Sequence, residues 1–222
     1  MVYIAFEGID GSGKTTQYKS EILHLRETRG DEQVAEYPYS DKNNPIGRII
    51  KRMYKKDAKG VLPIIGQSSR IVQEAMYALN ARHNLRNVRK DAEIVVSDRS
   101  IVTAYASHID LVPDWFIRMA EPNMRPDLIL FIDIPPEVGF ERLQQANRDT
   151  IYFEETLEGI RIFQHNYEKI FNGRKPPILR ESEIMVIDGN RPLEVVRRNV
   201  QESVDRWIDS KYDPERRAAP CG

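Results

Sequence analysis

The chain has 222 residues, a length that fits one α/β domain with a full hydrophobic core. Its 33 Lys and Arg residues nearly cancel its 34 Asp and Glu residues, which leaves a formal charge of −1. Proteins that grip a nucleic-acid backbone usually carry a basic excess, so this balance argues against a nucleic-acid partner and for a small-molecule ligand. No run approaches the roughly 18 apolar residues of a membrane span, and we expect a cytoplasmic protein with no membrane partner.

Five short apolar runs predict buried strands. They cover residues 2–6, 33–37, 93–97, 128–133 and 183–187. Between the first two runs, residues 16–29 contain neither Pro nor Gly and predict a helix. Strands that alternate with helices predict an α/β fold, a three-layer α/β/α sandwich around a five-stranded parallel sheet, whose ligands bind beyond the C-terminal strand ends.

The second half of the chain predicts one further core helix and a frayed end. Helical spacing of apolar residues marks a core face, made of Ile160, Phe163, Tyr167, Ile170 and Phe171. We expect residues 1–210 to form a single domain, and residues 211–222 to form a polar, disordered tail.

A glycine-rich motif between the first predicted strand and helix is the strongest functional signal. Residues 8–15 read GIDGSGKT and match the phosphate-binding pattern G-x-x-x-x-G-K-[ST]. Such a loop directs backbone N–H groups and the positive end of a helix dipole at one phosphate. Lys14 is predicted to reach the β- and γ-phosphates, and the Thr15 hydroxyl to hold Mg²⁺. The residues predicted to bind ATP here are Gly8, Ile9, Asp10, Gly11, Ser12, Gly13, Lys14, Thr15 and Thr16.

A second polar element follows the strand predicted over residues 93–97. Asp98 can hold the water shell of Mg²⁺, and Arg99 can form a bidentate pair with an acceptor phosphate. A purely structural Asp–Arg pair is the alternative interpretation. The guanine-reading sequence N-K-x-D is absent and the chain is short for a motor ATPase, so a compact phosphotransferase is the predicted class.

Three motifs together resemble the thymidylate kinases, within the nucleoside-monophosphate kinase superfamily. Residues 6–17 (FEGIDGSGKTTQ), 126–139 (PDLILFIDIPPEVG) and 187–196 (IDGNRPLEVV) are similar to segments of that family and lie in the same order. The resemblance implies a P-loop fold with a helical lid over residues 142–154. It also implies transfer of the γ-phosphoryl group of ATP to dTMP, Mg²⁺ as cofactor, and a homodimer.

The resemblance assigns roles on the donor side. Arg142 would pack on the adenine ring, with residues 190–192 on its other side, namely Asn190, Arg191 and Pro192. The family has its catalytic arginine either in the phosphate-binding loop or in the lid. The loop carries no guanidinium at Gly11 or Ser12, so the chain looks like the lid-arginine type, with Arg148 as the candidate. The predicted catalytic residues are Asp10, Lys14, Arg99 and Arg148.

On the acceptor side, the resemblance implies that Asp10 accepts a hydrogen bond from the sugar 3′-OH and that Arg99 holds the phosphate. Tyr77 would stack on a pyrimidine, and Arg82 or Arg70 would supply further positive charge. The predicted acceptor-binding residues are Asp10, Tyr37, Arg70, Tyr77, Arg82, Arg99, Thr103 and Tyr105.

The chain departs from the family at several acceptor positions. Ser100 follows Arg99 where the family usually has Tyr or His, and Ala106 stands where a Gln often reads the thymine edge. Residues 98–100 also fit the [DE]-R-S of deoxyribonucleoside kinases, which need a carboxylate base, typically in an E-P-x-x-x-W-like stretch after the second strand. Glu36 precedes Tyr37 and Pro38 in this chain, but no Trp follows. A catalytically silent ATP-binding module is the alternative from another class.

Overall fold

The computed structural model describes residues 1–41, 43–50, 66–108, 113–120, 124–146, 155–173 and 175–212. The predicted catalytic residue Arg148, most of the predicted lid and almost all of the predicted tail lie outside these ranges, and so does the side chain of Arg70. Residues 45–50 are helical, and short 3₁₀ turns lie at Asp31–Gln33 and Pro177–Leu179. The strands are β1 Val2–Glu7, β2 Val34–Tyr37, β3 Ile94–Asp98, β4 Leu128–Asp133 and β5 Glu183–Asp188. The helices are α1 Lys14–Arg29, α2 Gly66–Leu85, α3 Ile101–His108, α4 Asp114–Ala120, α5 Pro136–Gln145, α6 Leu157–Asn172 and α7 Leu193–Tyr212.

The strands form one parallel sheet in the order β2-β3-β1-β4-β5. Each observed strand begins and ends within one residue of its predicted range, because buried parallel strands are nearly continuous apolar runs. The register aligns Phe6 of β1 with Asp98 of β3, and Asp133 of β4 with Asp188 of β5. The C-terminal ends of the strands therefore meet along one edge, where the phosphate-binding loop also lies.

Alternating side chains of the strands pack against helices on the two faces of the sheet. Ile4 and Phe6 of β1 face α1 and α7, where Trp207 is buried. Tyr3 of the same strand faces α2 on the other side. The predicted core face of α6 is confirmed, and Tyr167 is its most enclosed aromatic residue. The predicted three-layer α/β/α architecture is confirmed.

In the part of the chain with described structure, no helix has both the length and the apolar character needed to cross a bilayer.

Candidate active site

The glycine-rich loop between β1 and α1 packs its backbone directly against the start of α5. Gly11 has a φ of 83°, and a Cβ at this position would overlap the carbonyl group of Gly139. A Cβ at Gly139 would in turn lie 2.8 Å from the carbonyl oxygen of Asp10. The two glycines therefore let the loop and α5 meet through main-chain atoms. A side chain at either position would push the loop and α5 apart and disturb the turn that leads into the N-terminus of α1, the kind of place where proteins bind anions.

Helix α1 begins at Lys14, immediately after the loop. The backbone N–H groups of Thr16 and Gln17 donate to the carbonyl oxygen of Gly13 at 3.0 and 3.1 Å. The first turn itself carries no acidic residue that would repel an anion from the positive end of the helix dipole. All the loop residues predicted to bind ATP, residues 8–16, lie in this turn or in the loop before it.

The ammonium group of Lys14 is enclosed by the loop. Its Nζ donates to Asp10 Oδ1 at 3.0 Å and approaches the carbonyl oxygen of Ile9 at 3.4 Å. Burial lowers the pKa of Lys14, and the charge of Arg99 lowers it further, whereas Asp10 and Asp98 act in the opposite direction. An anionic phosphate beside this ammonium group would favour its charged form and raise its pKa again.

Arg99 follows β3 with a φ of 75°, which is uncommon for a residue other than glycine. Its Nη2 donates to Asp10 Oδ1 at 2.5 Å, its Nη1 to Thr103 Oγ1 at 3.4 Å, and its guanidinium lies 5.9 Å from the centre of the Phe163 ring. Burial alone would lower the pKa of Arg99, but the surrounding negative charges, Asp10 foremost, outweigh this and raise it. The guanidinium is thus a permanent cation beside the phosphate-binding loop.

Two oxygen-bearing side chains meet where β3 ends beside α1. The hydroxyl of Thr15 donates to Asp98 Oδ2 at 2.5 Å. A hydroxyl and a carboxylate are hard oxygen donors of the kind that Mg²⁺ prefers, and both stand next to the site predicted for the triphosphate. The donor set therefore fits the predicted metal, with Asp98 and Thr15 as the residues that would hold it or its water shell.

A cavity of about 830 Å³ opens in front of the loop. Asp10, Lys14, Thr15, Asp98 and Arg99 line its floor. One end is bounded by residues from β2 and α2 and the other by the end of α5. The volume falls within the range of small-molecule sites, and it spans both cations on the floor.

The wall of the cavity after β2 is fixed by three asparagine side chains. Asn44 donates through Nδ2 to Asn80 and, at 2.7 Å, to Asn84 Oδ1. Asn84 donates to the carbonyl oxygen of Pro38 at 2.6 Å, and Asn80 to that of Asp41 at 2.9 Å. The segment after β2 that lines the cavity is therefore tied to α2 by partly buried side-chain hydrogen bonds.

Arg142 links the glycine-rich loop to the segment between β5 and α7. Its guanidinium donates to the carbonyl oxygen of Gly11 at 3.4 Å and to that of Gly189 at 3.2 Å. Asn190 and Pro192 are exposed beyond this contact, and Arg191 donates to Asp188 at 2.7 Å. The residues predicted to enclose the adenine ring thus lie in one region, with Arg142 at the cavity and residues 190–192 beyond it.

Not every predicted acceptor-binding residue lies at the cavity. Tyr77 and Thr103 line it together with Asp10 and Arg99. Three others, whose positions follow, do not line the cavity. Tyr37 is 1 % exposed and donates to the carbonyl oxygen of Ala81, Tyr105 is 3 % exposed in the core, and Arg82 donates to the carbonyl oxygen of Met119.

Some cavity residues were not singled out by the sequence. Phe163 was predicted only as core, yet its ring lies under the guanidinium of Arg99. Ser107 follows Thr103 by four residues, so both face the cavity from α3. Ser100, a departure from the family pattern, does not line the cavity: it is fully buried and accepts a hydrogen bond from the N–H of Val102 at 3.2 Å. The four-residue spacing on α3 was the one available signal for Ser107.

A parallel α/β sheet with a lysine-bearing phosphate loop at its carboxyl edge, and a buried arginine facing that loop, defines a P-loop phosphotransferase. Residues 6–200 match the family model described as thymidylate kinase. The chain belongs to the thymidylate kinase family.

Individual proteins resemble the chain along most of its length. It is 28 % identical over 218 residues to the probable thymidylate kinase 2 of Saccharolobus solfataricus, covering 93 % of this chain and 97 % of that protein. It is 24 % identical over 219 residues to the thymidylate kinase of Symbiobacterium thermophilum, covering 95 % and 96 %. It is 29 % identical over 179 residues to the probable thymidylate kinase of Pyrococcus horikoshii, covering 76 % and 82 %.

Proposed function

We propose that this protein transfers the γ-phosphoryl group of ATP to dTMP, giving ADP and dTDP. The observation that carries the proposal is the convergence of Lys14 and Arg99 on one oxygen of Asp10, at the floor of a single cavity. Two cations so placed can each receive one phosphate of a donor–acceptor pair and offset the repulsion between the two anions. Membership of the thymidylate kinase family and the names of the relatives support this reaction.

The donor site consists of the glycine-rich loop and Arg142. Residues 8–16 bind the phosphates through backbone N–H groups, while the Lys14 ammonium group exchanges Asp10 for a phosphate oxygen. Arg142 is braced by the carbonyl oxygens of Gly11 and Gly189, which presents the flat guanidinium to the adenine ring. Residues 190–192 cover the other side of the base.

The acceptor site lies between Arg99 and Tyr77. Arg99 binds the acceptor phosphate, and its planar guanidinium suits two phosphate oxygens at once. When Arg99 and Lys14 turn to phosphates, the carboxylate of Asp10 is released and accepts a hydrogen bond from the 3′-OH of the sugar. Tyr77 and Thr103 line the cavity on the acceptor side, where a pyrimidine ring stacks on Tyr77.

Mg²⁺ is the cofactor that we assign to the site, with Thr15 and Asp98 as the residues that hold it or its water shell. When bound, the ion neutralises charge on the β- and γ-phosphates. The residues of the chain then bind and align the two substrates. The acceptor oxygen is already anionic near neutral pH, so the site needs in-line positioning rather than a strong general base.

The resemblance adds a second arginine from the lid. Arg148 lies within residues 142–154, the predicted lid, and an arginine at the transferring phosphoryl contributes on the order of 10³–10⁵ in rate. Closure of the lid also excludes water, which would otherwise divert transfer into ATP hydrolysis. We further propose a single kinase domain over residues 1–210, a cytoplasmic location and a homodimer.

A coupled assay of ADP release tests the proposal. With ATP and Mg²⁺, we expect turnover with dTMP, slower turnover with other pyrimidine monophosphates, and no turnover with thymidine. Turnover with thymidine and none with dTMP would instead indicate a deoxyribonucleoside kinase. ATP binding without ADP release for any acceptor would indicate a binding module.

A further inference from the structure

Glu7, at the end of β1, is a fully buried carboxylate that the proposed reaction does not use. Three hydroxyl groups donate to it: Ser100 to Oε1, and Thr103 and Tyr167 to Oε2, each at 2.7 Å. Burial raises the pKa of Glu7, while these hydrogen bonds and the charge of Arg99 lower it in part. A buried carboxylate is costly unless its oxygens are hydrogen-bonded, and here three hydroxyl groups satisfy them.

The first of these hydroxyls holds the backbone of Arg99. Ser100 caps α3, because its Oγ accepts from the N–H of Val102 while its own proton goes to Glu7. Arg99 immediately precedes this cap in the left-handed conformation, and its N–H donates to the carbonyl oxygen of Phe6 at 2.9 Å. The anchored cap therefore maintains a backbone conformation that a residue with a Cβ adopts only under constraint.

The second and third hydroxyls act on the Arg99 side chain. The hydroxyl of Thr103 donates its only proton to Glu7. Its oxygen is therefore an acceptor toward Arg99, whose Nη1 donates to it at 3.4 Å. Tyr167 packs edge-on against Phe163, with ring centres 5.2 Å apart, and Phe163 is the ring under the guanidinium. All three hydroxyls that converge on Glu7 therefore lead, directly or through one neighbour, to Arg99.

We infer that Glu7 is a positioning residue that fixes the backbone and the guanidinium of Arg99 for the acceptor phosphate. The inference deepens the proposed function and rests on it for the identity of the acceptor. Glu7 itself contacts neither substrate, because its carboxylate is enclosed beneath Arg99 and α3.

The first test reads the Arg99 side chain without any substrate. The Nε–H of Arg99 is observed by NMR in protein labelled with ¹⁵N-arginine and assigned with Arg99→Lys. In Glu7→Gln we expect its exchange with solvent to quicken about tenfold. Glu137→Gln is the matched control, since Glu137 pairs with Arg161 at the surface. Unchanged exchange in Glu7→Gln would overturn the inference.

The second test measures binding by calorimetry. Glu7→Gln should raise the Kd for dTMP about tenfold and leave the Kd for ATP within about twofold. In an Arg99→Lys background the effect on dTMP should shrink below about twofold, since Glu7 acts through Arg99. Equal weakening of ATP, or an undiminished effect in that background, contradicts a positioning role. Failure of the wild type to bind dTMP would refute the proposed acceptor, while the exchange measurement would still decide the role of Glu7.

Tyr167→Phe provides a variant that keeps the core ring, in case Glu7→Gln does not fold. It removes one of the three hydroxyl donors and leaves the aromatic packing intact. We expect Arg99 exchange to quicken about threefold, in the same direction as for Glu7→Gln. Unchanged exchange in a folded Tyr167→Phe protein would also count against the inference.

Discussion

Asp10 and Arg99 share a 2.5 Å hydrogen bond although 89 residues separate them in the chain. The same oxygen of Asp10 also accepts from Lys14 at 3.0 Å. One carboxylate oxygen thus accepts from both Lys14, in the phosphate-binding loop, and Arg99, which we propose to bind the acceptor phosphate. The two cations are therefore neighbours on the floor of the same cavity before any phosphate binds.

Asp10→Ala is expected to raise the KM for dTMP at least about tenfold and the KM for ATP no more than about threefold. The sugar loses its charged acceptor, whereas Lys14 can still pair with ATP phosphates. Steady-state kinetics with each substrate varied in turn measures the split. An equal loss for both substrates would mean that Asp10 serves the conformation of the loop.

Asp98→Asn should raise the Mg²⁺ concentration at half-maximal activity by about tenfold, because one charged oxygen is lost from the site next to Thr15. Activity is measured against Mg²⁺ concentration, and excess EDTA should abolish turnover of the wild type. Asp91→Asn is the matched control, since Asp91 is exposed near Arg89. An unchanged Mg²⁺ requirement in Asp98→Asn would remove Asp98 from the metal site.

Arg142→Ala should raise the KM for ATP about fivefold to twentyfold and leave the KM for dTMP unaltered. The reason is the loss of a guanidinium that is held by the carbonyl oxygens of Gly11 and Gly189 and that we propose to pack on the adenine ring. The control is Arg161→Ala, which removes an exposed ion pair with Glu137. A loss confined to dTMP would place the adenine elsewhere.

Arg148→Ala should lower kcat by roughly two to four orders of magnitude with little change in ATP affinity, because a lid arginine acts on the transition state. Single-turnover kinetics and ATP binding are measured on the same preparation. Arg148→Lys is the informative comparison, since it keeps the charge without the planar fork. Near-normal turnover in Arg148→Ala would exclude Arg148 from the mechanism.

The burial of Glu21 predicts that the free energy of unfolding of the protein depends on pH. Glu21 is fully buried in α1, and neither carboxyl oxygen has a hydrogen-bond partner among the described residues. Burial, and secondarily the charge of Asp205, raises its pKa from 4.5 to about 8. Between these two values the folded state binds more protons than the unfolded state, so Glu21 lowers the free energy of unfolding as pH rises, by up to about 1.4 kcal/mol per pH unit.

Glu21→Gln should remove this contribution, so its stability relative to the wild type should increase from about pH 5 to about pH 8. Urea unfolding at several pH values measures the difference, in which groups that titrate alike in both proteins cancel. Glu27→Gln, an exposed position on the same helix, is the control. Parallel pH profiles for Glu21→Gln and the wild type would contradict the prediction.

Three residues that we predicted to bind the acceptor have side chains that do not line the cavity. Tyr37 was predicted to contact the acceptor, but side chains alternate along a strand, and Tyr37 faces α2 instead. Tyr105 lies two residues from Thr103 on α3, which rotates it about 200° away from the cavity face. Arg82 projects towards α4, where it binds the carbonyl oxygen of Met119. The pattern placed these three residues on elements that surround the cavity, but the direction of each side chain depends on how its element is rotated in the fold.

The strands, the first helix and the phosphate-binding loop could all be predicted from the residue order, because each depends on neighbouring residues: apolar runs, glycine conformations and a helix N-terminus. Three contacts became visible only in the folded chain: Arg99 binds Asp10, Phe163 lies under the Arg99 guanidinium, and Glu7 accepts from three hydroxyl groups. These contacts join residues from different strands and helices. Their geometry follows from strand order and helix packing, which no short stretch of sequence contains.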